Sequence, residues 1–305
     1  FVELESDLLD FDELLNYQRT HRPGEMEAAD SLEQKEAPRL NEIAYPDFRF
    51  QARIDELRYG GHRLFGIQGK LRSSPSGIFY LDSLMTSGQS GGSILLDGLV
   101  NVSNPYYYTV SADVDLSGVD MNDLRIELQS GEESYFLHER YAGILSARGL
   151  AEVYFTPDLK LDMAMTTAMF KVRLLEGRLM NFTPLEAVGK FLDNKDLNNV
   201  RFSKLDNTFT LVDSQILIPR MGIESTLGYM ILEGEQGLDG SYLYLLRLPT
   251  WLVREAAINR ITGDRNQEEE EEIRAMKMGK YMVLTPWSDG EESRVRLGDK
   301  REKYR

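Results

Sequence analysis

Histidine and carboxylate side chains come closest to a chemical signature in this sequence. The chain has three histidines, His21, His62 and His138, and none has a second histidine or a cysteine at helical spacing. His21 lies in polar sequence, His62 follows a Gly-Gly pair and His138 precedes Glu139. We therefore predict surface or structural roles for all three histidines, and no metal site.

Carboxylates are plentiful, with 50 Asp and Glu residues. Paired carboxylates carry out glycoside hydrolysis, but their separation in space cannot be deduced from counting them. The clusters lack the ordered spacing of a calcium loop and fit the polar faces of strands and turns. They are Asp113/Asp115, Asp120/Asp123 and Glu132/Glu133.

Other catalytic motifs are missing from the sequence. It contains no cysteine, no G-x-S-x-G elbow, no Walker A motif and no dinucleotide fingerprint. The Gly/Ser-rich run Ser87–Ser93 lacks the lysine and the following helix that phosphate binding requires, so it is predicted to be a hairpin turn. We predict that the chain is not an enzyme and needs no cofactor.

The charge of the chain bears on its partners. A formal net charge of −15 and a pI near 4.8 argue against nucleic acid, which needs a concentrated Lys/Arg surface. No stretch reaches the roughly 18 apolar residues of a spanning helix, and no signal segment opens the chain. Because Phe1 begins inside the run FVELESDLLDFDELL, we expect a longer protein with any membrane anchor upstream.

The dominant pattern in the middle of the chain has a period of two, which is typical of β-strands with one apolar face. The alternating apolar series are Phe65-Ile67-Gly69-Leu71, Ile94-Leu96-Gly98-Val100, Tyr106-Tyr108-Val110-Ala112-Val114-Leu116, Leu159-Leu161-Met163-Met165 and Met221-Ile223-Ser225-Leu227-Tyr229-Ile231. Two further strands, Ile78–Met85 and Tyr242–Leu248, are apolar on both faces. Short Gly, Pro, Asn and Ser clusters separate the strands, so an antiparallel β-meander is predicted.

Few helices are predicted. Thr183 as N-cap, Pro184 at the first helical position and Glu186 three residues after the cap form a capping box, with Leu185, Val188, Phe191 and Leu192 along one side. Thr250–Ile261 and Asp10–Tyr17 are the other candidates.

Composition divides the chain into five segments. Residues 20–41 are polar and contain Pro23 and Pro38, as expected of a linker, and residues 263–274 include the acidic run Glu268–Glu272, as expected of a solvated loop. Residues 1–19 are predicted to end an upstream unit, residues 42–262 to form the main β-domain, and residues 275–305 to hold terminal strands and a basic tail.

One part of the sequence resembles a known family. The segment LEGRLMNFTPLEAVGKFL has a glycine followed by an F-x-P-L pattern, and VDSQILIPRMGIESTLGYMILEGEQGLDGSYLYLLRLP has an I-x-I-P strand followed by a serine and glycine-bounded strands. Residues 175–248 resemble the C-terminal region of AsmA-like envelope proteins, especially those of Bacteroidetes. Upstream runs such as SGQSGGSILLDGLV resemble the strand repeats of the same family.

The resemblance implies an elongated antiparallel β-meander curled into a U-shaped apolar groove, in proteins of the periplasm tethered to the inner membrane. It implies phospholipid transfer between envelope membranes and outer-membrane homeostasis, with phospholipid acyl chains and envelope membrane proteins as partners. A continuous apolar surface would spare acyl chains about 0.8 kcal/mol for each CH₂ kept from water.

The predicted groove-lining residues are the apolar alternates Phe65, Ile67, Ile94, Leu96, Tyr108, Val110, Ala112, Val114, Leu161, Met163, Met165, Ile223, Leu227 and Tyr229. Two alternatives remain open at this point. The same residues would fill a closed core if the chain were an envelope scaffold without a lipid conduit, and converging carboxylates in a polar cleft would indicate a glycan hydrolase.

Overall fold

The structure is a computed structural model in which the chain is mainly β. It describes residues 1–10, 39–59, 62–88, 90–124, 127–130, 133–193, 195–252 and 281–303.

Sixteen strands are described. The first eight are β1 (Val2–Asp10), β2 (Phe48–Tyr59), β3 (His62–Ser74), β4 (Ile78–Gly88), β5 (Gly91–Asn101), β6 (Tyr108–Asp120), β7 (Glu127–Ser130) and β8 (Glu133–Phe136). The others are β9 (Tyr141–Phe155), β10 (Leu161–Met180), β11 (Asn199–Val212), β12 (Gln215–Ser225), β13 (Gly228–Gly237), β14 (Ser241–Pro249), β15 (Tyr281–Asp289) and β16 (Ser293–Leu297). Helices are α1 (Leu137–Arg140) and α2 (Thr183–Leu192), with 3₁₀ turns at Leu40–Glu42, Met121–Asp123, Lys195–Asn198, Thr250–Leu252 and Arg301–Lys303.

Fourteen of the strands form one sheet in the order β1-β2-β3-β4-β5-β6-β9-β10-β11-β12-β13-β14-β15-β16, and β7 and β8 form a separate hairpin. The pairs from β2 to β6 and from β11 to β16 are antiparallel, whereas β1 lies parallel to β2. Chain order and sheet order therefore agree almost throughout, which confirms the predicted meander.

Two compact units divide the chain. Unit 1 comprises residues 1–119 and 148–168, and unit 2 comprises residues 120–147 and 169–305. Residues 11–38 and 253–280 lie outside the described residues, so the predicted linker, except residues 39–41, and the predicted acidic loop cannot be compared with the structure.

Unit 2 is built around a closed hydrophobic core. Successive residues of β14 are almost fully buried, including Leu243 at 6%, Tyr244 at 1% and Leu245 at 2% exposure. Neighbours in the sequence point to opposite faces of a strand, so both faces of β14 are covered. This double cover agrees with the sequence, in which Tyr242–Leu248 is apolar on both faces. The other such strand, Ile78–Met85, is not covered twice, since Tyr80 and Met85 are 38% and 50% exposed.

The helix α2 packs on this core and confirms the predicted helix. Leu185, Val188 and Leu192 are buried, with Val188 and Leu192 at 0% exposure. Its start differs from the predicted capping box, because the cap residue is Phe182 and the Thr183 hydroxyl accepts a hydrogen bond from Arg140 at 3.0 Å. The amides of Leu185 and Glu186 donate hydrogen bonds to the Phe182 carbonyl.

Of the other predicted helices, only parts are described. Thr250–Leu252 is a single 3₁₀ turn, and the rest of Thr250–Ile261 lies outside the described residues. Asp10 ends β1, and the rest of Asp10–Tyr17 lies outside as well, together with the side chains of all three histidines.

Three predicted strands are wrong in extent, and the series from Tyr106 begins as a strand only at Tyr108. Met221–Ile231 is a hairpin, in which β12 ends at Ser225 and β13 begins at Gly228, whose φ of 89° completes the turn. The series from Leu159 begins as a strand only at Leu161, since Leu159 lies in a turn at φ 63°.

Candidate functional site

Unit 1 carries an apolar face that extends over five neighbouring strands. We call the following residues the apolar face: Phe50, Ala52 and Ile54 of β2; Ile67, Gly69 and Leu71 of β3; Phe79, Leu81 and Leu84 of β4; Ile94, Leu96, Gly98 and Val100 of β5; and Val110, Ala112, Val114 and Leu116 of β6.

Strand register places these residues on one side of the sheet. Directly paired residues of antiparallel strands share a face. Across β5 and β6 the pairs Ile94–Leu116, Leu96–Val114, Gly98–Ala112 and Val100–Val110 are all apolar or glycine. Across β2 and β3 the same holds for Phe50–Leu71, Ala52–Gly69 and Ile54–Ile67.

A bulge in β4 keeps the face apolar where simple alternation would break it. Leu81 pairs with Gly98 and Leu84 with Leu96, so two leucines three residues apart lie on the same side. The bulge residue Ser83 has φ 51°, and its amide donates to the Asp97 carboxylate at 2.7 Å. The extra residue thus restores the register between two apolar segments.

The opposite side of the same strands carries many charged side chains among a few apolar ones. Arg72 forms a two-point hydrogen bond with Asp82, with Nε to Oδ2 at 2.8 Å, and its guanidinium stacks on Tyr80 at 4.8 Å. The hydrogen bonds from Arg72 lower the pKa of the Asp82 carboxyl below its ordinary value. Asp97 pairs with Asp113 farther along the sheet. This contrast gives the sheet of unit 1 one apolar and one hydrated side.

Burial shows that the apolar face remains partly open. Only two side chains of the face are as deeply buried as the core of unit 2. They are Ile54 and Ile67, at 6% and 7% exposure. The others, including Leu96, Ala112 and Val114, are half-buried. A face packed under a second layer would lose nearly all of its exposure, as β14 does, so this surface retains room for an apolar partner.

Residues 39–47 cover one end of the face. The Leu40 amide donates to the Tyr108 hydroxyl at 2.9 Å, and that hydroxyl donates to Asn41 Oδ1 at 3.3 Å. The Tyr45 ring meets Phe79 edge to face, with centroids 4.9 Å apart. Tyr108 is therefore only 2% exposed, and the open part of the face begins beyond it.

The structure brings together the predicted residues of the central strands. Ile67, Ile94, Leu96, Val110, Ala112 and Val114 all belong to the apolar face, and Tyr108 occupies its covered end.

Other predicted residues of unit 1 lie at the border of the apolar face or outside it. Phe65 pairs with Glu56, and its ring lies under the Arg63 guanidinium at 5.3 Å, so its surroundings are charged. In β10, Leu161 and Met165 are 49% and 44% exposed and Met163 is half-buried. The Asp162 carboxylate accepts hydrogen bonds from the amides of Ala164 and Met165, which interrupts the expected alternation.

The predicted residues of unit 2 do not form an open surface. Ile223 and Leu227, at 2% and 3% exposure, belong to the hydrophobic core. Tyr229 pairs with Glu224, next to the Ile223–Met230 pair, so it points to the opposite side and is 45% exposed. The hairpin turn explains the error, because it separates residues that a single strand would have aligned.

Sequence reasoning missed several members of the apolar face. Phe50, Ala52 and Ile54 alternate with Arg49, Gln51 and Arg53, which is a clear period-two signal in β2. The β4 members carried a weaker signal, because that strand is apolar on both faces in the sequence and the bulge changes its phase.

Unit 2 also has a wide depression of about 580 Å³ between residues of β10, β11 and β12. Glu176, Arg178, Arg201 and Glu224 line it around the Phe202 ring. A Cβ at Gly177 would overlap that ring, so the glycine is required for the close approach. Charges of both signs alternate here, and the Arg178 side chain already bonds to Asn199 at 2.7 Å.

Within the described residues, no three His, Cys, Asp or Glu side chains are grouped to hold a metal ion. The helices of the same part of the chain include none that is long and apolar enough to cross a membrane. Comparisons of the chain with models of known protein families, with curated proteins and with solved structures gave no significant match.

Proposed function

We propose that this chain binds lipid acyl chains on the apolar face of unit 1. The observation that supports the proposal is the combination of register and burial: across β2–β3 and β5–β6 the paired positions of the face are apolar or glycine, yet most of its side chains keep part of their exposure. Polar residues, Ser73 beside Phe79 and Thr86 beside Ile94, border it. Exposed apolar patches of this extent are typical of binding surfaces.

The dimensions of the face suit acyl chains. Five strands about 4.8 Å apart span about 19 Å, and a strand rises about 3.3 Å per residue, so the seven positions from Val110 to Leu116 cover about 20 Å. Each methylene that leaves water contributes about 0.8 kcal/mol to the free energy of binding. Micromolar binding corresponds to about 8 kcal/mol, so it requires about ten buried methylenes, and more once the entropic cost of association is included.

The wider role that we propose is phospholipid transfer in the bacterial envelope, with the chain in the periplasm and tethered to the inner membrane. Support for this part comes from the resemblance of residues 175–248 to AsmA-like proteins, and it stays a prediction. The apolar face lies outside that segment, so acyl-chain binding is argued independently of the resemblance.

A structural role in the envelope is the second candidate. The closed core of unit 2, where Leu248 and Leu284 are 0% exposed, favours it for that unit. A scaffold would have no use for the open face of unit 1, and for this reason we place lipid binding first.

The test is native mass spectrometry of the delipidated chain titrated with phosphatidylethanolamine. We expect discrete adducts of one or more phospholipid masses, and we expect a soluble short-chain analogue to compete less well because it buries fewer methylenes. A chain that forms no adduct at saturating lipid would contradict acyl-chain binding and leave the scaffold role.

A further inference from the structure

A second apolar surface lies at one end of unit 1, on two neighbouring hairpin turns. One turn joins β5 to β6 and the other joins β9 to β10, and the rings of Tyr107 and Tyr154 link them at 5.6 Å. Exposure is high for Tyr106 (81%), Leu159 (51%), Leu161 (49%) and Tyr107 (37%). We call these four residues the tyrosine-leucine rim.

Local hydrogen bonds fix the first turn. The Ser103 amide donates to Asn101 Oδ1 at 3.0 Å, and the Tyr106 amide donates to Asn104 Oδ1 at 2.8 Å. Asn side chains that accept a hydrogen bond from the backbone amide two residues later form Asx-turns, which stabilise the loop. Tyr106 is thus presented to solvent by a rigid turn.

The second turn is fixed in the same way. The Thr156 amide donates to the Lys160 carbonyl and the Leu159 amide to the Thr156 carbonyl, both at 2.8 Å. Leu159 has φ 63°, a conformation that a leucine rarely adopts. An apolar side chain held exposed at a strained position suggests a binding role.

We propose that the tyrosine-leucine rim docks on the surface of a lipid bilayer. Tyrosine rings with a polar hydroxyl, next to leucines, are the side chains that favour the boundary between head groups and acyl chains. The amides of Ser103, Tyr106, Thr156, Leu159 and Lys160 already have partners within the turns, so entering that layer leaves these peptide groups satisfied.

Charge near the rim limits the depth of docking. Asp158 and Lys160 form an ion pair at 2.7 Å at the second tip. A paired charge is tolerated at the head-group level but not in the hydrocarbon core. The chain as a whole carries −15, so the expected partner is a zwitterionic surface, and apolar contacts supply the attraction.

A protein partner fits the same residues less well. The rim consists of projecting turn tips, whereas an anchor site for a protein usually has a buried centre surrounded by a polar border. Docking on a bilayer is also separate from acyl-chain binding on the apolar face, because none of the four rim residues belongs to that face.

The experiment is flotation of the full chain with phosphatidylcholine vesicles. The test variant combines Tyr106→Ser with Leu159→Asn, since asparagine tolerates the positive φ at that position. We expect the fraction of protein that partitions onto the vesicles to fall about tenfold or more in this variant. In the parent chain this fraction should change little with salt.

The matched control combines Met85→Ser with Leu95→Ser. These two side chains pair on the polar side of β4 and β5 and are 50% and 36% exposed, so the control removes exposed apolar side chains away from the rim. Its partition should stay within about twofold of the parent. An Ala112→Asp chain, altered on the apolar face, should also float as the parent does.

A direct probe covers the case in which the double variant does not fold. In a Leu161→Trp chain we expect the indole emission to shift to the blue on addition of vesicles, and quenchers placed at the head-group level to reduce it. A parent chain that does not float, or an emission of the Leu161→Trp chain that vesicles leave unchanged, would overturn bilayer docking and indicate a protein partner for the rim.

Discussion

Ala112→Asp is the substitution that separates acyl-chain binding from folding most clearly. Ala112 is half-buried at the centre of β6, opposite Gly98 and between Val110 and Val114. An aspartate side chain fits beside a glycine and stays hydrated in the lipid-free protein, and β6 already carries Asp113 and Asp115 on its other side. We therefore expect the variant to fold.

The loss of lipid affinity follows from the geometry. Val110 and Val114 lie about 13 Å apart along the strand, with Ala112 midway. A hydrated carboxylate there keeps about three methylenes of an overlying acyl chain in contact with water. At about 0.8 kcal/mol for each methylene, binding weakens by about 2.4 kcal/mol, or about fiftyfold.

The assay is equilibrium titration of the purified chain with a fluorescent fatty acid, and Ser111→Asp is the matched control. Ser111 neighbours Ala112 but pairs with Leu99 on the opposite side, so the control adds the same charge to the same strand. We expect Ser111→Asp to bind within about twofold of the parent. Equal affinities for the two variants would refute the placement of the ligand on the apolar face.

Three further predictions concern stability and ionisation. Leu192→Ala should lower the free energy of unfolding of unit 2 by about 2–5 kcal/mol in a denaturant titration, because Leu192 is 0% exposed. Tyr108→Phe should cost about 1–3 kcal/mol by the same measurement, since the Leu40 amide loses its acceptor. The pKa of the Asp158 carboxyl is lowered to about 2, by hydrogen bonds from Lys160 first and Thr156 second, and carbon-detected NMR should find it there.

Each of the three has a control or a contradicting result. Lys190→Ala, on the exposed side of α2, should change stability by less than about 0.5 kcal/mol. Tyr106→Phe should have no effect on unfolding, because the side chain is 81% exposed. In Lys160→Ala the pKa of Asp158 should rise towards 3.8. An unchanged pKa would contradict the ion pair.

The sign of the Asp158 effect sets its pH window. Its pKa is lower in the folded chain than the ordinary value of 3.8, so the folded state binds the proton less readily. The stabilisation from this carboxylate is complete above the ordinary pKa and is lost as the pH falls from about 4 towards 2.

The meander and most of the β5–β6 surface were predictable from local sequence. The alternation of Val110, Ala112 and Val114 with polar residues specifies which side of β6 is apolar, and the short turn before Tyr106 specifies an antiparallel neighbour. The buried side of α2 was predictable for the same reason, since Leu185, Val188 and Leu192 recur at helical spacing.

Other features depend on tertiary contacts that a single strand does not reveal. The β4 bulge requires Asp97 from the next strand to bind the Ser83 amide, so the phase change between Leu81 and Leu84 has no signal within β4 itself. The hairpin at Ser225–Gly228 had one local signal, Gly228, but the apolar residues on both sides mimic one continuous strand. The cover over Tyr108 joins residues 67 or more positions apart in the sequence.

Site-specific photocrosslinking tests the central claim most directly. A photoreactive phenylalanine analogue at Val114 lies on the apolar face, and the same analogue at Asp113 projects from the opposite side of the same strand. With chains produced in bacteria, we predict phospholipid attached at position 114 and none at position 113. Equal labelling at the two positions, or no lipid at position 114, would contradict acyl-chain binding on this face.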